Sequence, residues 1–195
     1  MTTTFPQLLL KHATERPDAP ALREKEYGIW QTWSWREAAQ TVRHMACGLR
    51  ALGLQSGKNL AFISDNRPHV YMGFLAVQAC GAVPIPLYQD AVAAEMRFVM
   101  EDAEIAFAFA ENQEQVDKLL EVRESVPSIR HIIYDDPRGL RKYDQPGLIS
   151  TEELLAKGKE WDAQNPGAYD AMVQAVSPDD VSVILYTSGT TGKPK

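Results

Sequence analysis

The chain has 195 residues, a formal net charge of −6, 45% hydrophobic residues and 24% charged ones. That length supports a sizeable core without disulfides or structural metal, and the balance of apolar and charged residues excludes a disordered or fibrous chain. The acidic excess gives no electrostatic reason to approach nucleic acid, and no apolar run approaches the ~18 residues that read as a membrane span.

From the amino end, Met1 to Leu10 lacks the charged n-region, long apolar run and small-residue cleavage site of a secretory signal, so the expectation is a soluble, cytoplasmic protein. Ala21-Leu22-Arg23 and Ile29-Trp30-Gln31-Thr32-Trp33 flank a polar turn ending at Gly28, the pattern of a hairpin. Ser34 and Glu37 form a capping box that opens a helix, whose apolar face is Val42, Met45, Ala46, Leu49 and Leu52. Gly53 supplies its left-handed stop. Trp30, Trp33 and Trp35 read as packing anchors of this hairpin and helix start, in preference to a lipid anchor.

Leu60 to Ile63 is a short apolar run of the kind buried on both faces of a sheet. Asn66 is placed to cap the next helix, Pro68 fits its first turn, and the pattern runs to a stop at Gly81. Ala82-Val83-Pro84-Ile85-Pro86 resumes extended structure, with prolines that favour a strand end or a sheet edge over a central strand. Val92, Met96, Val99 and Met100 mark another helix, Ile105 to Ala110 another strand, Glu111 to Glu124 a charged-faced helix and Ile129 to Tyr134 a further strand. Asp135 to Gly147 reads as an exposed loop. Ser150 and Glu153 cap a short helix, Lys157 to Gly167 is a polar stretch, and Ala168 to Val176 is helical. Ser177-Pro178-Asp179-Asp180 is a turn, with both acids in turn and capping roles, and Val181 to Tyr186 is an apolar strand. Strand and helix thus alternate, which predicts a layered α/β domain with a largely parallel sheet flanked by helices.

Cys47 and Cys80 lie far apart with no ligand-spaced partner and read as buried reduced thiols. His12, His44, His69 and His131 form no HxxxH or HxH pair and read as surface or structural residues.

The last strand leads into Tyr186-Thr187-Ser188-Gly189-Thr190-Thr191-Gly192-Lys193-Pro194-Lys195, with four Ser/Thr residues, two glycines and two lysines. Glycines let backbone N–H groups approach an oxyanion closely, hydroxyls add neutral donors or sit on a magnesium ion, and lysines supply charge. A solvated turn has the same general composition. The spacing is not that of a Walker A loop, because Pro194 follows Lys193, and no GxGxxG is present.

All ten positions, Tyr186 to Lys195, resemble the phosphate-loop signature of the adenylate-forming (AMP-binding) superfamily, which includes acyl-CoA synthetases, peptide-synthetase adenylation domains and luciferases. Asn66 to Pro86, with Gly81-Ala82-Val83-Pro84-Ile85-Pro86, also resembles the corresponding helix and Gly-Ala-Val-x-x-Pro segment. Arg23 to Trp35, Asp65 to Pro68 and Glu111 to Leu120 are most similar to the long-chain fatty acid–CoA ligase branch.

The resemblance implies that residues 1–195 are the N-terminal portion of an AMP-binding domain, ending at the phosphate-binding loop without the C-terminal domain. It implies ATP, Mg2+ and coenzyme A as reactants or cofactor, and a carboxylate, expected to be a fatty acid, as substrate. Peripheral membrane contact is compatible with such a substrate. Thr187, Ser188, Gly189, Thr190, Thr191, Gly192 and Lys193 would hold the β- and γ-phosphates, Thr190 would also ligate Mg2+, and Lys195 would neutralise phosphate charge.

The family's later Tyr-Gly-x-Thr-Glu segment, ribose-binding Asp and C-terminal Lys are not in this sequence, so no catalytic residue is assigned and the chain alone is expected to be inactive. Two other readings stay open. One is a non-catalytic nucleotide-binding or interaction module; the other is an adenylation enzyme with a different acyl acceptor.

Overall fold

The structure is a computed structural model and describes residues 3–187. In chain order its elements are α1 (Phe5–Glu15), β1 (Pro20–Glu26), β2 (Ile29–Ser34), α2 (Trp35–Ala51), β3 (Asn59–Ile63), α3 (Pro68–Ala79), β4 (Val83–Leu87), α4 (Ala93–Asp102), β5 (Phe107–Ala110), α5 (Gln113–Ser125), β6 (His131–Tyr134), β7 (Leu148–Ser150), α6 (Thr151–Gln164) and α7 (Ala168–Ala175). They fall into two compact units. The first comprises Met1–Ser56, Asn66–Gly81 and Leu154–Asp180, and the second comprises Gly57–Asp65, Ala82–Glu153 and Val181–Lys195.

In the first unit, β1 and β2 form the expected antiparallel hairpin. Its turn residues Tyr27 and Gly28 both have positive φ, 47° and 82°, the conformation that lets a two-residue turn follow the strands' twist. Ser34 and Glu37 close their capping box: the Glu37 carboxylate accepts the Ser34 N–H at 2.8 Å, and Ser34 Oγ accepts the Glu37 N–H at 3.3 Å. Gly53, at φ 92°, follows the end of α2 as predicted. Trp35 packs its ring 4.6 Å from that of His12, with the Arg16 guanidinium 5.0 Å from its centroid. Trp33 is half-buried, whereas Trp30 is 57% exposed beneath the Arg23 guanidinium, so the packing-anchor reading does not extend to it.

Several helix boundaries differ from the sequence reading; the helix read from Glu111 begins at Gln113, because the Asn112 side chain caps it and leaves Glu111 before it. The cap of α3 is Arg67, not Asn66. Pro68 crowds the residue before it out of helical geometry, and Arg67 sits extended at φ −110°, ψ 154°. The helix expected to be short before a polar stretch from Lys157 is instead α6, continuous to Gln164. Its polar second half is held by α2. Arg43 grips Asp162 with two hydrogen bonds, Nε to Oδ2 at 2.6 Å and Nη2 to Oδ1 at 2.9 Å. A Cβ on Gly158 would lie 1.7 Å from the His44 carbonyl oxygen, so the two helices touch backbone to backbone. The helix α1 was not foreseen, although Thr4, Pro6 and Gln7 carry a start signal: Gln7 Oε1 accepts the Thr4 N–H at 3.1 Å.

The second unit is built on a five-stranded sheet in the order β4-β3-β5-β6-β7, with every neighbouring pair parallel. This is the α/β architecture expected from the sequence. The short strand β7 is an addition to it. Strands β3 and β5 are buried almost throughout, as their unbroken apolar runs require. Ala61, Ile63, Ala108 and Ile132 pack with Met96 and Met100 of α4 and with Val116 and Leu119 of α5. The loop from Asp135 to Gly147 drives Leu140 into this core. Of the strand end and the sheet edge that the prolines allowed, β4 takes the edge.

Candidate functional site

The segment Val181 to Thr187 leads into the candidate phosphate loop, and it is not the strand that its apolar alternation predicts. Ile184 and Tyr186 turn inward onto the core of the second unit, while Val181 and Leu185 are 60% and 63% exposed. The alternation is that of a strand, but no ladder forms. The physical reason lies in β4. The Val83 N–H is committed to the Lys58 carbonyl at 2.8 Å on the β3 side, so the outward-facing positions are Pro84 and Pro86, neither of which has an N–H. That edge offers carbonyls alone. Ile184 uses one, donating its N–H to Pro84 O at 3.3 Å.

A side-chain bond then fixes the last described part of the stem. The Tyr186 hydroxyl donates to Asp102 Oδ2 at 2.5 Å. Burial, with help from that bond and the neighbouring negative charge, pushes the phenol up to about 12, so Tyr186 remains a donor at neutral pH. Asp102 is the last residue of α4. The next residue, Ala103, presents its carbonyl to Asn59 Nδ2 at 2.8 Å, at the start of β3. The stem is therefore tethered near the amino ends of the parallel strands.

Open parallel sheets more often bind ligands beyond the carboxyl ends of their strands, where the strand order reverses. Here that point lies between β3 and β5, and Glu111 fills it. Glu111 is 93% buried, and its Oε2 accepts the Asp65 N–H at 2.7 Å and the Ser64 hydroxyl at 3.2 Å. Asp65 Oδ1 in turn accepts from Gln89 Nε2 at 2.7 Å, and Lys118 Nζ donates to the Gln89 carbonyl at 2.8 Å. This network ties three loops together. Glu111 was not singled out from sequence; the available signal was an acid set directly between the apolar run ending at Ala110 and the helix cap Asn112, whose side chain accepts the Gln115 N–H.

Among the candidate loop residues, Thr187 is described and is exposed. Ser188, Gly189, Thr190, Thr191, Gly192, Lys193 and Lys195 lie outside the described residues. Asp179 and Asp180 hold the expected turn: Asp180 Oδ2 accepts the Ser177 N–H at 2.8 Å, and the Asp179 N–H donates to Ser177 Oγ at 3.2 Å. Cys47 and Cys80 are both free and buried. Burial pushes each thiol up to about 12. His131 stacks on Phe107 with ring centroids 4.9 Å apart, and burial lowers its pKa. No helix among the described residues is long and apolar enough to cross a membrane.

With the stem anchored in a parallel α/β unit, the decisive comparison is with known families: the model of the AMP-binding enzymes matches residues 9–195. The chain belongs to the AMP-binding enzyme family. Among its curated relatives is the long-chain-fatty-acid–CoA ligase FadD15 of Mycobacterium bovis, 30% identical over 188 residues, a match covering 96% of this chain and 30% of that protein. Another is the long-chain-fatty-acid–CoA ligase ACSBG2 of Xenopus laevis, 27% identical over 194 residues, covering 98% and 25%. Among solved structures, the anthranilate–CoA ligase AuaEII in complex with anthranoyl-AMP superposes with a TM-score of 0.77 at 17% identity, covering 97% of this chain and 33% of that one. The chain therefore spans less than a third of the length of these two curated relatives. Its fold matches part of the adenylate-forming enzyme fold, about a third of that solved chain.

Proposed function

We propose that residues 1–195 form the N-terminal portion of an AMP-binding domain, and that the complete polypeptide is an AMP-forming acid–thiol ligase acting on fatty acids. The observation that carries this reading is the string Tyr186 to Lys195, joined to a stem that the sheet edge and α4 hold in place. In the first step a carboxylate oxygen attacks the α-phosphorus of ATP; the bond to pyrophosphate breaks and an acyl-adenylate forms. In the second, the sulfur of coenzyme A, its thiol proton lost to solvent, attacks the acyl carbon and AMP leaves. Names of curated relatives support the fatty acid and coenzyme A in this scheme.

Charge builds on the phosphoryl oxygens and the departing pyrophosphate, so donors aimed at those oxygens are the main assistance the first step needs. The donor set fits. Thr187, Ser188, Thr190 and Thr191 bring hydroxyls, Gly189 and Gly192 permit close backbone approach, and Lys193 and Lys195 bring positive charge. Thr190 would be the residue toward Mg2+, which when bound neutralises part of the triphosphate charge. No residue of this chain is assigned to proton transfer, and the chain alone is expected not to turn over. A cytoplasmic location with peripheral membrane contact is the setting that fits a fatty acid substrate.

Pyrophosphate release measured on the complete polypeptide with acetate, benzoate and palmitate tests the reading. The expected result is release that depends on carboxylate, is strongest with palmitate and is followed by thioester formation with coenzyme A. ATP consumption indifferent to every carboxylate would sink it, and ATP binding without consumption would favour a non-catalytic module.

A further inference from the structure

We propose that Asp102, 84 residues before Tyr186 in the chain, is a positioning residue for nucleotide binding, because its carboxylate holds the stem of the phosphate loop through the Tyr186 hydroxyl. The inference rests on the proposed role of the Tyr186–Lys195 loop in gripping ATP.

The argument starts from what β4 cannot do. A strand joining a sheet is normally set in register by alternating N–H and C=O bonds to its neighbour. With Pro84 and Pro86 at the outward positions, β4 returns no N–H to the incoming segment, and among the described residues the backbone bond joining the two runs from Ile184 to Pro84. The Tyr186–Asp102 bond supplies a second fixed point two residues on, immediately before Thr187.

The composition of the loop makes such a point valuable. Glycine loses the most backbone freedom when its conformation is fixed, and the sequence that follows Tyr186 is rich in Gly, Ser and Thr, so gripping a ligand there carries an entropic cost. A stem already fixed at Tyr186 removes part of that cost from binding. Asp102 suits the task because it stands at the end of a helix whose Met96, Val99 and Met100 are buried in the core. The phenol is a donor across the working pH range, and a carboxylate is its strongest neutral-pH acceptor.

The test uses the complete polypeptide with the substitutions Tyr186→Phe, Asp102→Ala, Asp102→Asn and the pair Tyr186→Phe/Asp102→Ala. Steady-state pyrophosphate release gives the KM for ATP and for carboxylate, and calorimetric titration gives the affinity for ATP with magnesium. Tyr186→Phe and Asp102→Ala should each raise the ATP KM about five- to twentyfold and leave the carboxylate KM unchanged. The pair should be no worse than either alone, and Asp102→Asn, which keeps an acceptor oxygen, should recover most of the affinity. Tyr186→Phe removes a single oxygen and keeps the packed ring, so it remains informative if Asp102→Ala fails to fold. Wild-type ATP KM in Tyr186→Phe, additive losses in the pair, or equal losses in every parameter together with a lowered unfolding midpoint would each overturn the proposal. If the unsubstituted protein releases no carboxylate-dependent pyrophosphate, the ligase reading fails separately. The ATP titrations then decide alone: weakened binding in Tyr186→Phe supports positioning by Asp102, and unchanged binding overturns it.

Discussion

The Glu111 carboxylate accepts the backbone N–H of Asp65 at 2.7 Å, across 46 residues of sequence, and in doing so joins the carboxyl ends of β5 and β3. Glu111→Ala removes an acceptor from a buried site and leaves its donors without that partner, which should cost about 2 kcal/mol in equilibrium chemical denaturation. Glu111→Gln keeps an acceptor oxygen and should cost less than half as much. Equal stability of the alanine variant and the unsubstituted chain would show that the network is dispensable.

The Arg43–Asp162 fork predicts a pH-dependent contribution. The hydrogen bond from Arg43, opposed by burial and aided by the guanidinium charge, holds the Asp162 carboxyl below its ordinary value. A depressed folded-state pKa contributes stability that is present above the unfolded aspartate value, about 4, and is lost as pH falls through the folded value. Asp162→Asn should therefore cost about 1–2 kcal/mol at pH 7, and the difference should shrink as pH approaches 3. Denaturation curves across that range check the sign; a gap that stays constant would remove the linkage.

At Gly158 two effects compete. Alanine in place of a helical glycine gains about 1 kcal/mol of helix propensity. Against this, the new Cβ would sit 1.7 Å from the His44 carbonyl oxygen and 2.8 Å from the Gly48 nitrogen, both backbone atoms that no rotamer change can clear. Forcing α2 and α6 apart costs about 3 kcal/mol or more, so Gly158→Ala should be net destabilising, read as a lower thermal midpoint.

Cys47 and Cys80 should be nearly inert in the native chain. Both thiols are buried and raised to about 12, which leaves almost no thiolate at pH 8. A colorimetric thiol reagent should label neither within minutes, and both promptly after denaturation. Fast native labelling of either would show that its helix opens readily.

Thr190→Val in the complete polypeptide removes a hydroxyl while keeping the shape of the side chain. If Thr190 faces Mg2+ and phosphate, acyl-adenylate formation should fall about 10–100-fold, as for the loss of one donor at a charged transition state. Unchanged adenylation would take that role from Thr190.

Much of the second unit was legible because its strands are short unbroken apolar runs between well-punctuated helices. Leu60 to Ile63 and Ile105 to Ala110 gave β3 and β5, and two prolines kept β4 from a central position in the sheet. Capping at Ser34 was legible for the same local reason. What escaped depends on partners distant in sequence. The second half of α6 is polar and carries Gly158, and it becomes intelligible once Arg43 and the backbone of α2 are known to lie against it. The strand expected from Val181 to Tyr186 has the right alternation, but whether a ladder forms depends on its neighbour's donors, which the segment itself does not encode. The candidate phosphate loop was legible through the resemblance of Tyr186 to Lys195 to a family signature, since its composition alone fits a solvated turn as well. Its tether to Asp102 was not, since nothing near Tyr186 announces an acid at the end of α4.

The proline pair in β4 has a consequence for association between molecules. Two copies of an ordinary exposed strand can zip together because each brings donors as well as acceptors. An edge whose outward groups are carbonyls cannot pair with a second copy of itself: two such edges brought together present oxygen to oxygen. The β4 side of this sheet is therefore selective by hydrogen-bond polarity, open to a segment that brings its own N–H groups, as Ile184 does, and closed to its own likeness.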